Sequence, residues 1–307
     1  MSFMASNDMN GRAVLVTGGT GGIGMETARE LARRGASVVL VGLDPERGQR
    51  AARDLRDSAG HDRVHAVAAD CTRLDGLRRV ADAVTERHDR LDVLVNNVGV
   101  NQPTRQTTAD GVEKMFAAHV LAPYTLTHLL LPLLRRAPAA RVVNLTGGIP
   151  GGRIDPGDLM GERRYVGWTF THYNHTKTMT MALTHRLARE LEGTGVTANV
   201  VYPGHGHTPM NRAIPVRAFP ILYRPIAPLV LKVVAPLFLS DLTRSARSSV
   251  HAACAPELEG VTGAYVDGKC RRKPLPAAAL DPAAQNAVWD LCARLSAPVL
   301  HPAGEGR

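Results

Sequence analysis

Six short aliphatic runs punctuate the first two-thirds of the chain: "AVLVT" from Ala13, "SVVLV" from Ser37, "VHAVAA" from Val64, "LDVLVN" from Leu91, "RVVNL" from Arg141 and "VTANVV" from Val196. Each has the length and β-branched content of a buried strand. Helix-period segments lie between them, over residues 23–34, 45–59, 74–87, 112–135 and 171–192. Strands that are apolar on both faces must be covered on both faces. The alternation therefore predicts a parallel sheet between two helical layers, a doubly wound, three-layer α/β/α Rossmann fold. At 307 residues, one such domain with insertions accounts for the whole chain. Residues 204–249 break the rhythm with prolines and large aliphatics, and read as a hydrophobic lid inserted over the sheet's C-terminal edge. "GVTGAYVDG" from Gly260 predicts a last strand, residues 284–295 a terminal helix, and "HPAGEGR" a disordered tail.

Charge narrows the functional classes. Lys+Arg 37 against Asp+Glu 28 gives a net charge of +9. The basic residues are scattered pairs such as Arg33-Arg34 and Arg135-Arg136, with no aromatic-interleaved stripe, which argues against a nucleic-acid partner. Cys71, Cys254, Cys270 and Cys292 stand far apart with no metal-type spacing, so neither a metal site nor an oxidising compartment is implied. The polar "MSFMASNDMN" start has no secretory pattern, and the cytoplasm is the expected location. The most apolar stretch, residues 213–239, carries five prolines and three basic residues and makes a poor transmembrane span.

The first strand runs into "TGGTGGIG", with Gly18, Gly22 and Gly24 at the turn before the first helix. Glycine lets the backbone approach a ligand closely, and the free N–H groups of a helix N-terminus suit a pyrophosphate. A glycine cluster alone is weak; the strand before it and the helix after it are the context a dinucleotide site demands. A P-loop is excluded because no Gly-Lys-Ser/Thr follows.

The spacing Thr17, Gly18, Gly22, Gly24 resembles the short-chain dehydrogenase/reductase superfamily. "NNVG" at residues 96–99 is similar to that family's N-N-A-G, Asp70 ends the third strand where the family holds adenine, and "YPG" from Tyr202 matches the segment beside the nicotinamide. The resemblance covers residues 12–295, and wording such as "RLARELEGTGVTANVVYPG" is nearest to the retinol-dehydrogenase-like branch. It implies that a nicotinamide dinucleotide is held by Thr17, Gly18, Thr20, Gly22, Ile23, Gly24, Asp70, Cys71, Asn97, Gly99, Pro203 and Gly204. At the end of the second strand, Gly42 takes the place of the acidic residue that marks NAD binders. Asp44 could reach the ribose and Arg47 a 2′-phosphate; branch resemblance tips the expectation slightly to NADP over NAD.

In the same family Tyr173 and Lys177, the Y-x-x-x-K of "YNHTK", form the catalytic pair, and the lysine also holds the nicotinamide ribose. Hydride transfer to a carbonyl leaves an alkoxide that needs a proton. For tyrosine to exchange that proton at neutral pH its pKa near 10 must fall by roughly three units, about 4 kcal/mol of phenolate stabilisation. A lysine one helical turn away lies on the same face and supplies part of it. Two unrelated residues on a helix would show the same spacing; the dinucleotide context is what raises it to a candidate site.

Two positions depart from the family pattern. The strand ends "VVNLTGGIPGG", which puts Gly147 where the family has a serine that binds the substrate carbonyl; Thr146, one place earlier, offers a hydroxyl if the strand end shifts. An insertion near residues 154–167 then delays the tyrosine. His119 stands at the family's asparagine, whose backbone carbonyl anchors a relay water; a histidine could keep that role or add an ionisable group. His172, His175, His205 and His207 read as surface or packing residues near the cleft. The expected activity is hydride transfer between NAD(P) and a carbonyl or alcohol, as in a ketoreductase. The apolar lid residues Ile214, Val216, Phe219, Leu222, Val230 and Leu231 favour a bulky hydrophobic small molecule. The same residues would also suit a membrane surface or a homo-oligomer interface. Because both supports of the tyrosine are altered, a non-redox isomerase, lyase or cyclase of the same fold, or a dinucleotide sensor without turnover, stands as the alternative.

Overall fold

The computed structural model describes residues 8–148, 152–163, 165, 171–204 and 241–301. Most of the expected lid, with its six named aliphatics and with His205 and His207, lies outside the described residues, as does the tail after His301.

Among the described residues, eight strands form one sheet in the order β3-β2-β1-β4-β5-β6-β7-β8. They are β1 (Ala13–Thr17), β2 (Ser37–Gly42), β3 (Val64–Ala68), β4 (Val93–Asn96), β5 (Ala140–Leu145), β6 (Val196–Val201), β7 (Tyr265–Val266) and β8 (Arg272–Lys273). All neighbours are parallel except β8, which turns back antiparallel on β7. The central strands β1, β4 and β5 are buried along their whole length, which explains their unbroken apolar character. Chain order reverses between β1 and β4, and this switch point opens a crevice at the strands' C-terminal ends.

One face is covered by α1 (Gly22–Arg33) and α2 (Pro45–Ala59), the other by α3 (Leu74–Thr85), α4 (Lys114–Leu134) and α5 (Thr171–Glu190). Local chemistry sets the boundaries. Asp44 caps α2 by accepting from the Glu46 and Arg47 N–H groups, Pro45 occupies its first turn, and Gly60 ends it in the left-handed region at φ 72°. Buried Asp92 accepts from the Ala13 N–H at 2.9 Å and from Arg90, tying the start of β4 to β1.

Helix α6 (Leu242–Cys254) corrects the expected lid boundary at 249. It packs on α1 in the sheet-covering layer, where Thr27 and Ser249 hydroxyls meet at 2.6 Å. Short α7 (Ala277–Leu280) leads into α8 (Pro282–Leu300), which lies across α4 and α5 through Val288, Leu291 and Cys292. Among the described residues only α4 is long and apolar enough to cross a membrane, and 78% of its apolar window is buried inside the protein.

A polar seam crosses this apolar interior. Asn96 donates to Asn144 Oδ1 at 2.8 Å, and Asn144 donates to Thr184 Oγ1 at 2.9 Å. Thr184 donates in turn to the Thr180 carbonyl, and Thr180 reaches the carbonyls of His119 and Thr176.

Candidate active site

A cleft of about 610 Å³ follows the switch point from the glycine turn to Tyr173. At one end Gly18 (φ 63°) and Gly22 (φ 58°) adopt backbone conformations that side chains resist, so the turn can present its N–H groups at the start of α1. Asn97 holds the turn's shape from behind. Its amide donates to the carbonyls of Thr17 at 2.9 Å and Gly18 at 3.2 Å, while Thr17 Oγ1 accepts from the Asn97 and Val98 N–H groups. An ideal Cβ on Gly24 would fall 2.3 Å from the Asn97 amide nitrogen and 2.4 Å from the Gly18 carbonyl oxygen, so no side chain fits there. This cradle fits a pyrophosphate.

Most of the residues named from sequence converge here. Gly18, Thr20, Gly22, Ile23, Asn97 and Gly99 line the cleft; Thr17 and Gly24 support it from behind. Asp44, Asp70 and Cys71 line the far end, and Pro203 the near end, with Gly204 beside it at φ 81°. Asp70 Oδ1 accepts from the Thr72 N–H and hydroxyl, leaving its carboxylate fixed at the cleft. Burial pushes the Cys71 thiol up to about 12, so it contributes shape rather than a thiolate.

At the end of β2 the Thr20 side chain fills the space beside Gly42: a Cβ there would meet Thr20 Oγ1 at 2.4 Å and Cγ2 at 2.5 Å. Asp44 lines the cleft, and its Oδ1 accepts from the Glu46 and Arg47 N–H groups that cap α2. Arg47 lies over the turn, its Nε donating to the Thr20 carbonyl at 3.1 Å and its guanidinium filling the space beside Gly21.

At the other end α5 delivers Tyr173 and Lys177. Lys177 Nζ donates to the Leu145 carbonyl at 2.9 Å, at the end of β5, and lies 5.8 Å from the centre of the Tyr173 ring. Burial pushes the ammonium down to about 7 and raises the phenol above its ordinary value. Burial thus moves the phenol opposite to the lowered value that the spacing argument required.

The departures have distinct geometries. Thr146 lines the cleft, yet its hydroxyl donates to the Lys177 backbone carbonyl at 3.1 Å instead of presenting its proton to a substrate. A Cβ on Gly147 would stand 2.7 Å from Tyr173 Oη, so residue 147 does occupy the position facing the phenol, and it brings no hydroxyl. His119 sits behind the cleft in a wide π-turn, Ala117–Leu121, within α4. Its backbone carbonyl, expected to hold a relay water, accepts from Thr180 Oγ1 at 2.9 Å.

The first turn of α5 also clamps the inserted loop. His172 Nε2 donates to the buried Glu113 carboxylate at 3.1 Å and lies near Tyr165, whose hydroxyl donates to the Gln102 carbonyl; His175 accepts from the Asp155 N–H. Burial holds His175 down to about 4, so it is neutral near pH 7. Gln102, Lys114 and Thr72 line the cleft without having been singled out. Gln102 follows Gly99 by three places, the one signal that could have found it.

The "short chain dehydrogenase" family model matches residues 12–217. The chain is 34% identical to human Retinol dehydrogenase 13 over 93% of its length and 84% of the relative's. It is 35% identical to human Dehydrogenase/reductase SDR family member 13, covering 94% of this chain and 74% of that one. Among solved structures, an uncharacterised Mycobacterium paratuberculosis protein aligns with a TM-score of 0.70 at 28% identity, over 95% of this chain and 96% of the other. The Pseudomonas aeruginosa RhlG/NADP active-site complex aligns at 0.65 and 28% identity, over 85% and 96%. With the cradle and the tyrosine–lysine pair facing one cleft, these matches make the chain a member of the short-chain dehydrogenase family, an NAD(P)-dependent dehydrogenase/reductase.

Proposed function

We propose that this enzyme reduces the carbonyl of a bulky hydrophobic substrate, with Tyr173 as the proton donor. The observation that carries the reading is that the Tyr173 phenol opens on the same cleft as the glycine cradle. A bound nicotinamide would supply the hydride. Tyr173 Oη gives its proton to the developing alkoxide, and Lys177 holds the ribose edge and the phenol's orientation. Thr146 acts through the Lys177 backbone. The aliphatic lid sequence and relatives named for retinol, itself a lipophilic alcohol, support a hydrophobic substrate.

NADP is the favoured cofactor. Gly42 carries no carboxylate, Asp44 is drawn to the helix cap, and Arg47 stands beside the turn with its terminal nitrogens available for a 2′-phosphate. The cytoplasm remains the proposed location.

Gly147 favours a second reading: with no serine hydroxyl facing the phenol, Tyr173 can serve a non-redox proton transfer. NADPH oxidation with a panel of hydrophobic aldehydes and ketones separates the two. Loss of turnover in Tyr173→Phe supports the reductase; substrate conversion without net change in nicotinamide replaces it with the isomerase or lyase reading. Tight cofactor binding with no conversion of any substrate points to a sensor.

A further inference from the structure

His119 is 1% exposed, and both ring nitrogens are engaged by groups whose hydrogen-bond direction is fixed or forced. The Val100 N–H can only donate, and it meets Nε2 at 3.0 Å, so Nε2 is the acceptor. The neutral ring then carries its proton on Nδ1, which lies 2.8 Å from Thr176 Oγ1. Thr176 passes its own proton to the Tyr173 carbonyl at 2.9 Å. The imidazole thus bridges the loop after β4, whose Gly99 and Val100 line the cleft, and the turn of α5 that carries Tyr173. Its ring also stands edge-on to the tyrosine ring, with centroids 5.2 Å apart.

We infer that His119 is a positioning residue held in the neutral Nδ1–H tautomer, which fixes the Tyr173 helix against the cofactor loop and carries no proton in turnover. The inference rests on the reading of Tyr173 as proton donor. An imidazolium would point a second N–H at the Val100 N–H and leave that bond without an acceptor. The groups around the ring oppose the charge as well: Lys177 and Tyr173 on α5 offer a cation and a neutral phenol, and His172 lies nearby with Glu113 turned to it. Desolvation, reinforced by Lys177 and His172, holds His119 well below the ordinary histidine value. A glutamine amide presents an acceptor and a donor side by side, as this tautomer does, whereas leucine presents neither.

Long-range proton–nitrogen spectra of the full-length protein labelled at histidine nitrogen, with His119→Gln to assign the signal, test this directly. The expected result is one neutral Nδ1–H tautomer from about pH 5.5 to 8.5, with and without NADPH. In steady-state kinetics His119→Gln keeps kcat within about tenfold and every limb of the kcat/KM pH profile, whereas His119→Leu loses roughly 10²-fold in kcat. Titration of the His119 signal within that window, the other tautomer, or loss of a pH limb in His119→Gln overturns the inference. So does wild-type turnover in His119→Leu. If His119→Leu fails to fold, the tautomer measured on the unsubstituted protein decides. If Tyr173→Phe stays active while the tautomer is as stated, the proton-donor reading fails and the bridge stands.

Discussion

At its glycine turn the cleft is made largely of backbone, whereas around Tyr173 it is made of side chains that hold one another. The turn from Gly18 to Gly24 is braced by Asn97 and Thr17 from behind and by Arg47 at the Thr20 carbonyl, each bond made to main chain. Around Tyr173, by contrast, Thr146 is tied to Lys177, Lys177 to Leu145, and His119 to Thr176. The first end leaves no room for a side chain at Gly24. The second has been rebuilt around an unchanged tyrosine and lysine, with glycine in place of the facing hydroxyl. The two ends of the crevice are therefore held by separate sets of hydrogen bonds.

Substitutions at the two ends should separate these roles. Tyr173→Phe is expected to lower kcat by roughly 10³-fold with NADPH affinity nearly unchanged, measured by stopped-flow oxidation and fluorescence titration. Gly24→Ala should do the reverse: its methyl collides with Asn97 and Gly18, costing about 1–3 kcal/mol in the turn and weakening NADPH roughly tenfold or more. Arg47→Ala should weaken NADPH by about tenfold and leave NADH alone, the signature of a lost 2′-phosphate contact. Equal losses for both would remove the NADP assignment.

Lys177 gives a smaller, pH-dependent effect. Its value of about 7 makes it a cation below neutrality and a neutral amine above, so NADPH affinity should fall as pH rises through 7. In Tyr173→Phe, where the phenol cannot contribute, a fall of about threefold between pH 6 and 8 is expected. Smallest of all is Thr146→Ala. Because its hydroxyl serves the Lys177 backbone, it should cost about 1 kcal/mol of stability in a denaturant titration and less than about threefold in kcat. A loss near that of Tyr173→Phe would instead make Thr146 a direct partner of the substrate carbonyl.

Much of the fold was legible because strand burial writes itself as uninterrupted aliphatic runs; β1 and α2 fall where the pattern puts them. Helix α6 was hidden for the opposite reason. "LTRSARSSVHAAC" buries Ser245, Ser248 and Ser249, with Ser249 meeting Thr27 of α1 and Ser248 bonded to the Tyr202 carbonyl, so it lacks an aliphatic stripe and blends into the preceding insertion. Strand β8, an exposed Arg-Lys pair, has no apolar signal at all. In the site, Tyr173, Lys177 and the glycine turn were readable from their spacing taken together with the strand–helix alternation around them. The engagement of Thr146 with a carbonyl 31 residues away, and of His119 with Thr176 57 residues away, depends on which way side chains turn after folding.

The threonines at 176, 180 and 184 recur every fourth residue along α5, each bonded where a hydrocarbon side chain would have only contact. Apolar surfaces can slide over one another with little change in energy; directional bonds cannot. Displacing α5 along its axis by even a fraction of its 5.4 Å pitch would break the bonds to Asn144 and His119 together. The seam therefore works as a vernier for the helix, setting how far Tyr173 projects past the end of β5. A core of leucines could match its stability but would leave that distance unspecified.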